Sequence, residues 1–141
     1  MENALNLIKE FEGLRLEAYR CPSGVWTIGW GHTASVRPDM KITVAEAERL
    51  LRADADIVDR ALRGVELTPQ QRAALVSFGF NVGVDALRRS TLLRKVRSNA
   101  SDPTIEAEFM RWIYGGGRVL QGLVRRRRRE AEVYFSEGGR Q

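Results

Sequence analysis

Apolar residues near the N-terminus recur at helical spacing, and the repeat then meets an acid. Leu5, Ile8 and Glu12 share one face of residues 2–12, flanked by Leu7 and Phe11. A helix is predicted there, stopped by Gly13, with a carboxyl where a leucine would be expected. From Leu14 to Gly31 the period changes. Val25-Trp26-Thr27-Ile28 is β-branched and aromatic, and Cys21-Pro22-Ser23-Gly24 is a turn signal, so a β-hairpin is predicted. Gly29 and Gly31 around Trp30 suggest a bulge or a close backbone approach.

Beyond the hairpin the pattern is helical. Thr43-Val-Ala-Glu46 matches a capping box, and the apolar positions after it run on to Leu62, ahead of Gly64. Thr68-Pro69-Gln70-Gln71 repeats the signal with proline at the first helical position. The segment Ala73 to Val82 is apolar almost all round, which marks a central buried helix. Shorter helices are predicted over Ser90–Arg97 and Thr104–Trp112, a flexible loop at Gly115-Gly116-Gly117, and a last helix from Val119 or Leu123 to Phe135, ending at Gly138-Gly139. The fold class is therefore α+β, mostly helical with one small N-terminal sheet. The expected organisation is one domain over 1–141, with a helix and β part over about 1–42 and a helical part over about 43–141.

Composition narrows the classes. The 141 residues are 43% hydrophobic and 29% charged, an ordinary globular balance. No apolar run reaches the length of about 18 residues that spans a membrane, and no signal-peptide pattern is visible. Synthesis in a cytoplasm is expected. One Cys and one His exclude an internal disulfide and a structural zinc site, and no cofactor is called for. The net charge of +5 favours an anionic partner: nucleic acid, membrane surface or acidic cell wall.

Candidate chemistry gathers in Phe11–Thr33. Desolvation on an apolar face and the negative end of a helix dipole both favour a protonated Glu12, as a general acid requires. A Glu reaching solvent or paired with an Arg would read the same in sequence. Cys21 and Thr27 follow in the pattern E-x8-C-x5-T. If the helix end abuts the hairpin, both could face Glu12 across a cleft. An inverting glycosidase needs such a gap, about 6.5–9.5 Å, to hold a water.

At this point the chain resembles the phage-type endolysin lysozymes, glycoside hydrolase family 24. The resemblance rests on FEGLRLEAY (11–19), GVWTIGWGHT (24–33), LTPQQRAALVSFGFNVG (67–83), STLLRKV (90–96) and FMRWIYGGGRVLQGLVRRR (109–127), in that order. It implies a lysozyme-like fold with the saccharide between a small β lobe and a helical lobe. It also implies hydrolysis, with inversion, of the β-1,4 bond from N-acetylmuramic acid to N-acetylglucosamine in peptidoglycan. By that resemblance Glu12 is the acid, Cys21 and Thr27 position the water, and Asn81 and Gly116 line the cleft. Cys stands where many members carry Asp, and a thiol is the poorer base at neutral pH. The expected partners are peptidoglycan glycan strands, with no nucleic acid. A monomer is expected, acting on the bacterial wall and reaching it through a separate holin. A non-catalytic wall-binding protein on the same fold is the alternative.

Other signals weigh less. Cys21 with His32 would suit a cysteine peptidase, but Cys21 precedes Pro22 in a turn and no orienting residue can be assigned, so His32 is read as structural. Trp26 is assigned to packing, whereas Trp30 is a candidate sugar contact and Trp112 stays open. Arg125–Arg129 sweeps a full helix circumference, so at least one Arg must turn inward. Which one is not legible. A nucleic-acid role would need aromatics among the basic residues, and none is present.

Overall fold

Helix α3 (Pro69–Val82) is the element around which the others pack. The computed structural model describes residues 1–137; the expected stop at Gly138-Gly139 lies outside them. Residues 73–79 of α3 are all buried, as an apolar pattern without a polar face requires. It packs against α1 (Glu2–Phe11), α2 (Val44–Arg60), α4 (Val84–Arg89) and α7 (Gln121–Tyr134). Gly79 makes part of this possible. A Cβ there would stand 2.5 Å from Val58 on α2 and 2.8 Å from Leu87 on α4, so only glycine lets the three helices close.

The local signals explain the helix starts. Thr43 and Thr68 each accept from the backbone N–H three residues on, and Glu46 and Gln71 accept from the cap N–H in return. Ser90 caps α5 (Thr91–Ser98), where its Oγ accepts from the Leu93 N–H at 3.0 Å. Three expectations are corrected. Helix α1 does not end on a left-handed glycine: Glu12 itself turns extended (φ −100°, ψ 123°) while its N–H still bonds the Ile8 carbonyl. The helix expected over 104–112 is the single turn α6 (Ile105–Phe109), and α4 was not foreseen. The glycine loop is the turn of a second hairpin, β3 (Tyr114–Gly115) with β4 (Arg118–Val119). Gly116 and Gly117 both have positive φ (59° and 80°), the geometry of a two-residue type I′ connection.

In the first sheet, β1 (Arg15–Arg20) pairs antiparallel with β2 (Trp26–Gly29), with Tyr19 opposite Thr27 and Arg20 opposite Trp26. The register slips between Arg15 and Tyr19. There β1 pairs instead with residues 40–42, through Ala18 N–H to Met40 O at 3.0 Å and Ile42 N–H to Leu16 O at 2.9 Å. Gly29 and Gly31 (φ 66° and 73°) reverse the chain so that Ile28 and His32 exchange both backbone hydrogen bonds at 2.9 Å. This reversal brings the end of β2 back onto the end of α1.

Candidate active site at the junction of helix and hairpin

Glu12 stands where α1 ends, and Gly31 of the hairpin closes over it. A Cβ on Gly31 would lie 3.0 Å from Glu12 Oε1 and 3.7 Å from Phe80, so the glycine is needed for both its conformation and its size. The other carboxylate oxygen, Oε2, accepts from Arg126 Nη1 at 2.8 Å. Glu12 keeps 24% of its side chain exposed, whereas Arg126 keeps only 4%. Of the readings left open in sequence, the pairing with an Arg is the one observed: the face carries a buried guanidinium.

The inward arginines are Arg126 and Arg127, and a second acid holds them together. Glu130, fully buried, accepts from Ser77 Oγ at 2.6 Å, from Arg126 Nε at 3.2 Å, and from Arg127 Nη1. Arg126 also donates to the Ser77 carbonyl at 3.2 Å and lies against the Phe11 ring. Arg127 donates Nε to the Trp112 carbonyl at 2.9 Å and Nη2 to Asn81 Oδ1, with Phe78 beneath it. Burial pulls Arg127 below its ordinary pKa and Glu130 works against that shift. The alternation Glu12–Arg126–Glu130–Arg127 therefore links the acid to the α3 end at Asn81. Glu130 was missed in sequence, although its spacing of four and three residues from the two arginines is the pairing distance on a helix.

Cys21 closes the turn between β1 and β2. Its N–H bonds the Val25 carbonyl at 3.0 Å, and its carbonyl accepts from Gly24 N–H at 2.7 Å. The thiol lies 2.8 Å from Ser23 Oγ. This hydroxyl is the largest of the causes that lower the Cys21 pKa from 9.0 to about 7; the Val25 backbone adds to it, and the Thr27 hydroxyl more weakly. Cys21 thus sits in the turn beyond β1 rather than on a strand, Tyr19 stands opposite Thr27 across the sheet, and the Thr27 hydroxyl reaches the thiol. Thr27 is buried, with Oγ1 donating to the Val25 carbonyl at 3.0 Å. Ser23 carried no sequence signal beyond turn composition.

His32 is occupied elsewhere. Its Nδ1 lies 2.7 Å from Asp54 Oδ2 on α2 and its Nε2 lies 2.9 Å from the Ala34 carbonyl, which ties the hairpin exit to the helical body. The orienting acid not found in sequence is Asp54, but the imidazole it orients is not the thiol's partner. The candidate sugar contacts divide. Trp30 is corrected: 9% exposed, it belongs to the apolar core with Lys9 over its ring, so it offers no open stacking face. Trp112 packs edge-on to Phe78 at 5.4 Å. Asn81 is exposed on the last turn of α3, whose C-cap is Gly83, and lines an open cavity of about 670 Å³ together with Glu12, Leu120 and Leu123. Gly116 sits in the exposed turn beyond Leu120. Among the described residues no three His, Cys, Asp or Glu side chains converge to hold a metal.

A small antiparallel hairpin set against a helical body, with a carboxylate at their junction facing an open cleft, defines a protein of the lysozyme-fold class. The chain belongs to the phage lysozyme family, whose model matches residues 9–130. It is 42% identical over 139 residues to the endolysin of Bacillus phage B103, covering 94% of this chain and 52% of that protein. It is 41% identical over 143 residues to the endolysin of Acyrthosiphon pisum secondary endosymbiont phage 1, covering 96% and 97%. Among solved structures, the muramidase domain of SpmX from Asticaccaulis excentricus superposes with a TM-score of 0.85 at 35% identity, covering 96% of this chain and 97% of that one. The chain spans about half the length of the Bacillus phage endolysins that it matches.

Proposed function

We propose that this protein is a peptidoglycan-hydrolysing muramidase that cuts the β-1,4 bond from N-acetylmuramic acid to N-acetylglucosamine, with Glu12 as the general acid. The observation that carries the reading is the disposition of the Glu12 carboxylate. Oε2 is held by Arg126, Oε1 lies against Gly31, and Glu12 is one of the residues that line a cavity large enough for sugar rings. A carboxyl so anchored can present one oxygen to a leaving glycosidic oxygen in a fixed direction. Cys21 and Thr27 hold the attacking water on the other face of the sugar, in an inverting displacement. A thiol brought to about 7 supplies a thiolate acceptor at neutral pH, which lessens the handicap of Cys in place of a carboxylate. Asn81, fixed by Arg127, is a cleft-wall contact for the saccharide.

Release of reducing ends from purified peptidoglycan tests the reading. Glu12→Gln should lower the rate by about 10²–10⁴-fold, whereas Cys21→Asp stays active. Full activity in a folded Glu12→Gln protein would refute it and favour a wall-binding protein on this fold. Passage to the wall through a holin belongs to the same proposal: lysis on induction of this chain alone would count against it.

A further inference from the structure

Arg125 lines the cavity beside Glu12 and Asn81, and its charge is the one left uncompensated there. The cavity's other ionised groups are matched. Glu10 receives a forked pair from Arg129, Nε to Oε1 at 3.0 Å and Nη2 to Oε2 at 3.3 Å. Glu12 is paired with Arg126, and Arg126 shares Glu130 with Arg127, so each guanidinium of that chain has a carboxyl partner. Arg125, by contrast, is exposed, and among the described residues no hydrogen bond or ion pair engages it. The first turn of α7 contains no acid that could. Its Nη2 lies 3.7 Å from where a Cβ of Gly122 would stand, so the guanidinium rests over a residue without a side chain.

An unpaired guanidinium in a cleft concentrates the field on an anionic ligand group, and its planar fork matches a carboxylate. We propose that Arg125 binds a carboxylate carried by the muramyl units of the substrate strand. This makes it a specificity-determining residue of the site and rests on the muramidase reading. Muramyl units offer that chemistry from two sources: the lactyl carboxyl when free, or the carboxylates of a peptide stem attached to it.

The test uses the full chain on soluble glycan strands in three forms: peptide-bearing, stripped of peptide so that the lactyl carboxyl is free, and blocked as neutral methylamides. Arg125→Gln raises KM about fivefold, the scale of one exposed charged contact, on at least one carboxylate-bearing form. The form that responds names the source, and kcat is held. Arg125→Lys recovers part of the loss, and on blocked strands Arg125→Gln and the wild type share one KM. Arg128→Gln is the control for general attraction: Arg128 is exposed and lines a different groove, beside Glu106 and Arg111. An equal rise on blocked strands, an equal rise from Arg128→Gln, or no rise on either carboxylate-bearing form would overturn the proposal. Wild-type protein that releases no reducing ends would instead refute the muramidase reading. The same comparison, read as strand affinity by equilibrium dialysis, would then decide on Arg125.

Discussion

Replacing Glu130 by Gln changes one atom of a buried acid and should unsettle both the fold and the site. Glu130 is fully buried and accepts from Ser77, Arg126 and Arg127. The amide keeps one acceptor but turns an N–H₂ group toward a cluster of donors. Arg126 then keeps the Glu12 carboxylate, and Arg127, fully buried, is left with none. Removing one partner from a buried ion pair costs about 3–5 kcal/mol, chiefly because a charge is left uncompensated. Set against a typical folding stability of about 5–15 kcal/mol, that is a large fraction, and for a chain of this length it lowers Tm by about 10–20 °C. Urea unfolding followed by far-ultraviolet circular dichroism measures it directly. The companion variant Glu130→Gln/Arg127→Met removes both charges and should recover part of the loss. The recovery stays incomplete because Arg127 also serves Asn81 and the Trp112 carbonyl. A Glu130→Gln cost below about 1 kcal/mol, the range of exposed pairs, would refute the view that this network is tightly coupled.

Two further predictions concern the hairpin. Because the folded Cys21 thiol is lowered from 9.0 to about 7, thiolate is populated above about pH 7 and lost below it. Alkylation by iodoacetamide should therefore show an inflection near that pH, and the basic-form limb of lysis should follow it. Ser23→Ala removes the largest lowering cause, so both should move upward together; an alkylation inflection unmoved in Ser23→Ala would contradict the assignment. Gly31→Ala places a Cβ at φ 73° and 3.0 Å from Glu12 Oε1. It should destabilise by about 1–2 kcal/mol and lower activity more than Gly64→Ala, also at positive φ but with open space around it. Equal activities in the two variants would sink the claim that Gly31 shapes the site.

The parts of the fold legible in sequence are those decided by neighbours along the chain. The capping boxes at Thr43 and Thr68 form as their spacing requires, and residues 73–79, apolar but for Ser77, are buried. The turn at Cys21–Gly24 is local too. What escaped depends on partners far apart in sequence. His32 meets Asp54, Glu12 meets Arg126, and Trp30 enters the core under Lys9, none of which a local pattern encodes. The Arg run shows the boundary well. Helical geometry requires an inward arginine, but which ones turn inward is set by Glu130, Ser77 and Glu12, on three different helices or their ends. Short elements were lost for another reason: six residues in α4 and two in each strand of the second hairpin are too few to display a period.

On the proposed reading, the carboxyl pinned by Arg126 at the end of α1 protonates the glycosidic oxygen as the bond breaks. Reducing-end release from purified peptidoglycan, compared for wild type and Glu12→Gln at equal folded concentration, addresses it most directly. Wild-type protein should release reducing ends, with a loss of about 10²–10⁴-fold in the variant. Undiminished release by folded Glu12→Gln protein would contradict it.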